Sequence, residues 1–429
     1  MSARRTLHRF FERRERQRRR QRMRRLVRRG VMGTLAVQTA TAAGLFTFDS
    51  IRKKDRPEGA FPHRPAETVA LPRSEVRVFM YGEELFEQML EDIEAAQHRV
   101  FLETYIWKGD EMGQRFRDAL VRADARGVEV YVVIDDFANL VVPASFKRSL
   151  PATVHAAAHP LVSGGWKFLH PRYSGRDHRK LLVVDSDIAY VGGFNIGSLY
   201  ATKWRDTHAR ITGEFVVELE NAFIDYWNVH ARRGDEAPLP EPTGRAWSQT
   251  LRVHRNTPVD LVYPIRNMYL EAIDRAERSI AITQAYLIPD EAFRRALVRA
   301  AQRGADVRII VPRFSNHVFA DWFSRTHFTE LLKGGVRILR YEHAMVHAKT
   351  ATIDGRWSTI GTANIDRLSL VGNYEVNVEI IDEALAAQME AIFELDATNC
   401  TELTLEEWTA RPMIARATEG ILAPWRDLA

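Results

Sequence analysis

"DHRKLLVVDS" at residues 177–186 and "VHAKTATIDG" at residues 346–355 follow one pattern. Each stretch has a His, a Lys two positions later and an Asp five positions after the Lys. The residues in these positions are His178, Lys180 and Asp185 in the first copy and His347, Lys349 and Asp354 in the second. Most basic residues of the chain are Arg, so two Lys in matched positions are informative. The repetition indicates a duplicated functional unit rather than a chance match.

Both stretches are predicted to be strands that lead from a polar start into an apolar core. Residues i and i+2 of a strand point to the same side, so each His faces the same cleft as its Lys. Residues 181–184 and 351–353 continue each strand into the core. Asp185 and Asp354 come at the strand ends, just before a turn. There we expect each carboxylate to fold back toward an imidazole and fix its tautomer.

Each motif lies late in one of two halves that repeat the same predicted elements. In order, these are helices at 85–93 and 265–276, buried strands at 98–107 and 278–288, helices ending at Arg126-Gly127 and Arg303-Gly304, and strands at 128–136 and 305–313. This order predicts an α/β fold with two similar α/β/α sandwich halves. The simplest packing is a pseudo-twofold that turns the two motifs toward each other as one shared active site.

Prolines and shifts in composition divide the chain into seven segments. We predict an Arg-rich tail at 1–30, a weakly apolar anchor or signal at 31–50, a linker at 51–72, a first repeat at 73–233, a Pro-rich linker at 234–250, a second repeat at 251–410 and a C-terminal tail at 411–429. The catalytic unit is expected to be a single chain, because one chain supplies both repeats.

Composition restricts the function classes. With 429 residues, 45% of them hydrophobic, the chain can bury a large core. Its single cysteine, Cys400, excludes a disulfide framework and a cysteine-based zinc site. Residues 1–30 carry a charge balance of +12 and the whole chain +5, so the rest sums to −7. This acidic body argues against nucleic acid as a partner, whereas the basic tail suits an anionic membrane surface.

An uncharged stretch at 31–48 follows the tail and is diluted by Gln38 and four Thr. It is just long enough to cross a bilayer, and we interpret it as a membrane anchor. An export signal is one alternative, because Arg28 and Arg29 precede the stretch and small residues at 40–43 could allow cleavage. An unstructured segment or a helix lying on the surface is the other.

A glycine-containing segment follows each motif strand. The segments are "VGGFNIG" at 191–197, with Gly193 and Asn195, and "IGTANID" at 360–366, with Thr362 and Asn364. Backbone amides and the Asn side chains could donate hydrogen bonds to an oxyanion. Beside two His-Lys pairs, these segments predict a cation-lined pocket for one tetrahedral phosphate.

Three further acids admit two interpretations. Glu103, Asp206 and Glu375 fall in predicted strands and turns, where buried acids most often satisfy backbone amides or an Arg. If they lie near the histidines, they could instead tune the imidazoles or bind a glycerol hydroxyl.

These motifs resemble the phospholipase D superfamily, whose signature is a duplicated HxKxxxxD followed by G-[GST]-x-N. The resemblance covers residues 75–410. Within the superfamily the chain is most similar to bacterial cardiolipin synthases, through "WRDTH" at 204–208, "QAYLIPD" at 284–290 and "YEVN" at 374–377.

The resemblance implies that His178 attacks phosphorus to form a phosphohistidine. His347 would act first as general acid and then as general base, although exchanged roles remain an alternative. Lys180, Lys349, Asn195 and Asn364 would oppose the developing charge, so no metal or other cofactor is implied. Gly193, Thr362 and Glu375 are the other expected substrate-binding positions.

The implied activity is phosphatidyl transfer that joins two phosphatidylglycerols into cardiolipin and glycerol. Hydrolysis of phosphodiesters to phosphatidic acid is one alternative, and the motifs do not distinguish water from a lipid hydroxyl as acceptor. A nuclease of the same superfamily is another alternative, and a catalytically silent membrane scaffold is the third. The expected partners are a phospholipid substrate and an anionic membrane, and the expected location is the cell membrane.

Overall fold

The computed structural model describes residues 59–161, 173, 175–231, 237–240, 248–411 and 413. The segments predicted at 1–30 and 31–50, and nearly all of the tail at 411–429, lie outside the described residues. The repeats are described in large part, and they belong to one unit that includes Pro57–Arg411.

The first half contains nine strands and five helices among the described residues. The strands are β1 (Glu67–Leu71), β2 (Ser74–Phe79), β3 (Arg99–Thr104), β4 (Glu129–Asp135), β5 (His155–His159), β6 (Leu181–Val184), β7 (Ile188–Gly192), β8 (Trp204–Arg205) and β9 (His208–Gly213). The helices are α1 (Gly82–Ala95), α2 (Glu111–Ala125), α3 (Ala144–Lys147), α4 (Ser198–Thr202) and α5 (Val216–Ala231).

The second half repeats most of this succession. Its strands are β10 (Leu251–Asn256), β11 (Ser279–Gln284), β12 (Asp306–Pro312), β13 (Arg337–Tyr341), β14 (Met345–Val346), β15 (Lys349–Ile353), β16 (Trp357–Gly361), β17 (Glu375–Ile381) and β18 (Cys400–Leu403). Its α-helices are α6 (Pro264–Arg275), α7 (Glu291–Gln302), α8 (Val318–Lys333), α9 (Arg367–Val371), α10 (Glu383–Ala397) and α11 (Leu405–Thr409).

Each half is built on an eight-stranded mixed sheet. The strand orders are β1-β2-β9-β7-β6-β3-β4-β5 and β10-β17-β16-β15-β11-β12-β13-β18. In the first sheet β3, β4 and β5 are parallel, whereas the pairs from β1 to β3 are antiparallel. Equivalent strands occupy the same places in the second sheet, except that β1 and β18 are additional edge strands. The prediction of an α/β fold with two similar halves is confirmed.

Local sequence explains where the helices begin and end. The side chain of Asp110 accepts a hydrogen bond from the Gly113 amide at the start of α2, and Asp290 caps α7 in the same way. Both helices end at an Arg followed by a glycine with positive φ, 88° at Gly127 and 103° at Gly304. Only glycine adopts this conformation without strain, so the predicted helix ends are confirmed.

The two sheets share one hydrophobic core. Val191 and Ala209 of the first sheet belong to the same buried cluster as Ile360 and Val376 of the second. The helices α5 and α10 contribute Phe223 and Met389, among others, to this cluster. Burial of apolar surface therefore holds the halves together and fixes the position of one motif relative to the other.

Two boundary predictions need correction. The linker predicted at 51–72 is too long, because Glu67–Leu71 forms β1 and pairs antiparallel with β2. Alternation of exposed and buried residues in this edge strand is weak, so its sequence gave little signal. The motif strands also begin later than predicted, because β6 starts at Leu181 and β15 at Lys349. His178, Lys180 and His347 therefore precede the regular strands.

Among the residues that the structure describes, no helix has both the length and the apolar character needed to cross a membrane. The stretch at 31–48 is not among them.

Candidate active site

Backbone hydrogen bonds connect each histidine motif to the opposite half. The His178 amide donates to the Tyr374 carbonyl at 3.1 Å, and the Tyr374 amide donates to the Arg176 carbonyl at 2.9 Å. In the other direction the His347 amide donates to the Arg205 carbonyl at 2.7 Å, and β14 pairs in parallel with β8. Each motif thus lies against the residue that precedes an acid of the other half. The contacts are reciprocal, as an approximate twofold requires.

The first imidazole is held by a carboxylate of the second half. Nδ1 of His178 lies 3.0 Å from both carboxylate oxygens of Glu375. The Thr362 hydroxyl donates to Oε2 of Glu375 at 2.5 Å, and both of these residues are fully buried. Because an ionised carboxylate only accepts, the proton of a neutral His178 belongs on Nδ1. The Nε2 lone pair is then available to attack an electrophile.

The second imidazole is held by a carboxylate of the first half. Nδ1 of His347 lies 2.6 Å from Oδ2 of Asp206, and the Thr207 amide donates to Oδ1 at 2.8 Å. A Cβ atom at Gly193 would lie 2.0 Å from Asp206 Oδ1. Glycine is therefore required at position 193 to let this carboxylate approach the histidine. The Gly193 amide donates to the Thr207 carbonyl at 2.9 Å, and contact of Gly193 with substrate stays a prediction.

An aromatic ring packs against each imidazole. The Tyr105 ring lies 4.8 Å from the His178 ring in an edge arrangement, and the Trp204 ring lies 5.0 Å from the His347 ring. These contacts restrict rotation of the imidazoles about their side-chain bonds. The sequence did not identify Tyr105 or Trp204 as individual site residues. Tyr105 lies two residues after Glu103, and Trp204 lies two residues before Asp206.

Both motif lysines are buried at the site. Lys180 is 2% exposed and Lys349 is 0% exposed, and each ammonium donates to the carbonyl of its own motif's histidine. Burial lowers the pKa of Lys180 to about 8, although Glu375 and Asp206 oppose this effect. Burial likewise lowers the pKa of Lys349 to about 7. The carboxylates of both halves act on both lysines, so the charges form one cluster.

Burial also lowers the pKa of both histidines. For His178 the Glu375 carboxylate opposes the effect of burial, whereas Lys180 adds to it. For His347 the lowering is larger, because Lys349, Lys180 and His178 all disfavour a further positive charge. Both imidazoles are therefore neutral at pH 7 in the free protein. The interaction between His347 and groups of the first half shows that the two motifs share one electrostatic environment.

The prediction for Asp185 and Asp354 is wrong. The Asp185 carboxylate accepts hydrogen bonds from the backbone amides of residues 97–99 at 2.7 to 2.8 Å. Asp354 accepts in the same way from residues 277–279 at 2.8 to 2.9 Å. Both acids adopt positive φ at the turn after the motif strand, which directs the carboxylate to a neighbouring turn and away from the imidazole. They stabilise the fold beneath the site.

The predicted phosphate-binding asparagines are both buried in the glycine-containing segments. Asn195 is 2% exposed and Asn364 is 3% exposed. Oδ1 of Asn195 accepts from the Ile106 amide at 3.2 Å, so the amide nitrogen is the group left to donate. Oδ1 of Asn364 is buried without a hydrogen-bond partner among the described residues. Their contact with a phosphate stays a prediction.

The three uncertain acids divide between the two interpretations. Glu103 is held by Arg179 at 2.8 and 2.6 Å and serves the fold. Asp206 and Glu375 instead orient the histidines. The sequence marked these two acids as equivalent, because Asp206 lies 28 residues after His178 and Glu375 lies 28 residues after His347, but this spacing does not show which histidine each acid contacts.

Comparisons with known proteins identify the family of the chain. Residues 89–227 and 269–397, more than half of the chain, match the family described as "Cardiolipin synthase, PLD-like domain". A cardiolipin synthase of Clostridium perfringens is 32% identical over 82% of this chain and 76% of its own length. The major cardiolipin synthase ClsA of Bacillus subtilis is 33% identical over 81% of this chain and 73% of its own.

A solved structure supports the fold. Phosphatidylserine synthase of Haemophilus influenzae matches with a TM-score of 0.63, covering 85% of this chain and 95% of that chain at 16% identity. Likeness at this identity concerns the fold alone. From the two matched segments and the curated relatives, the chain belongs to the phospholipase D-like family of cardiolipin synthases.

Proposed function

We propose that the chain is a phosphatidyltransferase that joins two phosphatidylglycerols into cardiolipin and glycerol. The observation that carries the proposal is the crossed arrangement of the site, in which each histidine is held by a carboxylate of the other half. The names of its relatives support the choice of reaction. One buried cluster with two histidines and two lysines suits a single phosphodiester.

In the first step Nε2 of His178 attacks the phosphorus of one phosphatidylglycerol. The bond between phosphorus and the glycerol oxygen breaks, and His347 gives a proton to that oxygen. Glycerol leaves and a phosphatidyl group remains on His178. Glu375 stabilises the positive charge that the imidazole gains, because its carboxylate accepts a hydrogen bond from Nδ1 at 3.0 Å.

In the second step the headgroup hydroxyl of another phosphatidylglycerol attacks the phosphohistidine. His347, now neutral, takes the hydroxyl proton, and the bond between phosphorus and Nε2 of His178 breaks. The product is cardiolipin, His178 is neutral again, and His347 is protonated as it was before the first step. His347 loses this proton to solvent when cardiolipin leaves. The two substrates and the product contain the same number of phosphodiester groups. The exchange therefore needs no nucleotide as an energy source.

Substrate binding makes His347 the proton donor that the first step needs, and the proton itself comes from solvent. Both histidines are neutral in the free protein because burial lowers their pKa values. The negative charge of a bound phosphodiester offsets the nearby lysines and raises the pKa of His347. His347 then becomes protonated only when substrate is present, and Asp206 at 2.6 Å stabilises the imidazolium.

The proposal extends to partner and location. A phospholipid is the substrate, and phosphatidylglycerol is the species proposed. We further propose that the enzyme acts at the cell membrane as a single chain, and that the Arg-rich residues 1–30 contact anionic headgroups. These finer assignments rest on the charge of the tail and on the completeness of the site within one chain.

The deciding experiment incubates the purified chain with labelled phosphatidylglycerol and, separately, with single-stranded DNA. Cardiolipin and glycerol in equal amounts are the expected products. Phosphatidic acid as the main product would identify a hydrolase instead. Cleavage of DNA without any turnover of lipid would contradict the proposal, and the His178→Ala variant serves as the blank for both substrates.

A further inference from the structure

Four large apolar side chains are exposed near each other in the first half. The exposed fractions are 54% for Phe137, 57% for Leu140, 80% for Val141 and 45% for Leu161. The first three lie in the turn after β4, and Leu161 lies just after β5, which is parallel to β4. We call these four side chains the apolar rim. Such groups on a protein surface mark contact with a partner or a membrane.

Hydrogen bonds tie the apolar rim to the first histidine motif. Oδ1 of the buried Asp135 accepts from the amides of Phe137 and Ala138 at 2.8 and 3.1 Å. Oδ2 of the same carboxylate accepts from the Asp177 amide at 3.2 Å, and Asp177 directly precedes His178. One side chain therefore holds both the turn that carries the rim and the residue that precedes the proposed nucleophile.

Cations accompany the apolar rim. The Arg176 guanidinium lies 5.5 Å from the centre of the Phe137 ring and donates to the Leu161 carbonyl at 2.8 Å. The same group lies 3.7 Å from Oδ1 of Asp135, which offsets its charge. Lys147 and Arg148 end the short helix α3, which follows the turn. Asp136 is the sole acid between residues 136 and 161. An apolar surface with this charge is complementary to anionic headgroups above an acyl layer.

The second half shows that the rim is a local departure from the shared plan. There the turn after β12 leads directly into the 16-residue helix α8, whereas α3 of the first half has four residues. Phe314, which takes the place of Phe137, is only partly exposed. Phe328 and Leu331 of α8 are buried in the core of that half. Between β4 and β5, where every residue is described, the first half has no helix of this length, and the rim side chains of its turn are exposed.

We propose that the apolar rim is the surface by which the enzyme docks on an anionic lipid bilayer. Phe137, Leu140 and Val141 enter the headgroup region, and the exposed Arg148 lies beside headgroup phosphates. The inference rests on the proposed function, because a lipid substrate has to pass from a bilayer to His178. The docking proposal locates the membrane contact on the apolar rim, and this contact does not depend on residues 1–30.

A fluorescent label tests this contact in the full chain. Cys400→Ser removes the native thiol, and Val141→Cys places an environment-sensitive label on the rim. Leu405→Cys carries the control label, because Leu405 is also exposed, at 36%, but begins α11 in the second half. Vesicles of phosphatidylglycerol and phosphatidylcholine are expected to shift the emission of the label at 141 to the blue and leave the label at 405 unchanged. A label at 141 that stays aqueous while the chain is bound to vesicles overturns the proposal.

A charged rim tests the consequence for turnover. The triple variant Phe137→Asp, Leu140→Asp, Val141→Asp replaces exposed side chains, so the core is unaffected. Turnover of phosphatidylglycerol in vesicles is expected to fall about tenfold or more, while turnover of a short-chain, monomeric phosphatidylglycerol stays near the wild-type value. Equal loss on both substrates, or loss on neither, overturns the proposal. If the wild-type chain makes no cardiolipin, the proposed function fails, and the emission of the label at 141 still decides the docking.

Discussion

The two histidine sites share a plan but differ in how the carboxylate is placed. In the first, Glu375 presents two oxygens at 3.0 Å to His178 and receives the Thr362 hydroxyl. In the second, the shorter Asp206 presents one oxygen at 2.6 Å to His347. The residue equivalent to Thr362 is Gly193, where a Cβ would meet the Asp206 carboxylate at 2.0 Å. Acid length and the size of its neighbour have therefore changed together.

This difference explains how a duplicated site can support two roles. Glu375 is well placed to stabilise a lasting positive charge on His178, as a phosphohistidine requires. Both of its carboxylate oxygens lie near Nδ1, and the Thr362 hydroxyl holds the carboxylate by a hydrogen bond. Asp206 holds His347 by one strong hydrogen bond, and burial raises the pKa of that carboxyl group to about 6. Its environment suits a histidine that gains and loses a proton in each cycle.

The largest effects are expected from the histidines. His178→Ala should lower kcat by at least about 10⁴-fold, because no covalent intermediate can form. His347→Ala should lower kcat by about 10²- to 10⁴-fold, because only proton transfer is lost. Turnover of labelled phosphatidylglycerol measures both. A His178→Ala variant with near-normal turnover would remove this residue from the role of nucleophile, and the reverse order of effects would exchange the two roles.

The acids should come next. Glu375→Gln and Asp206→Asn are each expected to lower kcat by about 10²- to 10⁴-fold, because an amide can donate to Nδ1 and stabilise the wrong tautomer. Glu379→Gln is the matched control, since Glu379 lies on the same strand but bonds His254 and Trp357. Near-normal kcat in the two acid variants, measured on folded protein, would show that the carboxylates do not orient the histidines.

A larger side chain at position 193 should lower kcat less, and only through the Asp206–His347 pair. Gly193→Ala is expected to displace Asp206 and lower kcat by about 10²-fold, consistent with loss of an orienting carboxylate. Thr362→Val in the other half removes one hydroxyl donor from Glu375 and should lower kcat about tenfold. Steady-state kinetics of both variants compares the two sites directly. Full activity of Gly193→Ala would mean that Asp206 does not need its observed position.

The pH dependence of substrate binding should reflect the lysines. Burial lowers the pKa of Lys349 to about 7 and of Lys180 to about 8, so both ammonium groups lose their charge as the pH rises through this range. The attraction for a phosphate then weakens, and KM is expected to rise about tenfold between pH 7 and pH 9. A KM that is constant or falls over this range contradicts the assignment of the lysines as phosphate ligands.

The acids that end the motifs should affect stability and not catalysis. Asp185→Ala and Asp354→Ala each remove an acceptor from three backbone amides and are expected to lower the free energy of unfolding by about 1–3 kcal/mol. These hydrogen bonds outweigh partial burial and lower the pKa of both carboxyl groups. Their stabilisation is therefore present above the ordinary pKa of an Asp and lost as the pH falls below about 4. Urea unfolding and kcat, measured on the same samples, separate the two effects.

Sequence predicted the duplicated architecture and the residues of the motifs because these depend on local patterns. Apolar spacing fixed α1, the glycines fixed the ends of α2 and α7, and the motif spacing placed His178 and His347 in equivalent positions. The partner of a carboxylate depends on tertiary structure instead. Asp185 finds amides that lie 86 to 88 residues earlier, and Glu375 finds an imidazole 197 residues earlier, so neither contact follows from spacing within a motif.

Nitrogen NMR of histidine side chains tests the crossed pairing most directly. With ¹⁵N-labelled histidine, and signals assigned through His178→Gln and His347→Gln, both imidazoles should be neutral and protonated on Nδ1 at pH 7. Glu375→Gln should change the signals of His178 and leave those of His347 in place, and Asp206→Asn should do the opposite. If each acid variant instead changes the signals of the histidine in its own half, the two halves do not exchange their orienting groups, and this result contradicts the crossed pairing.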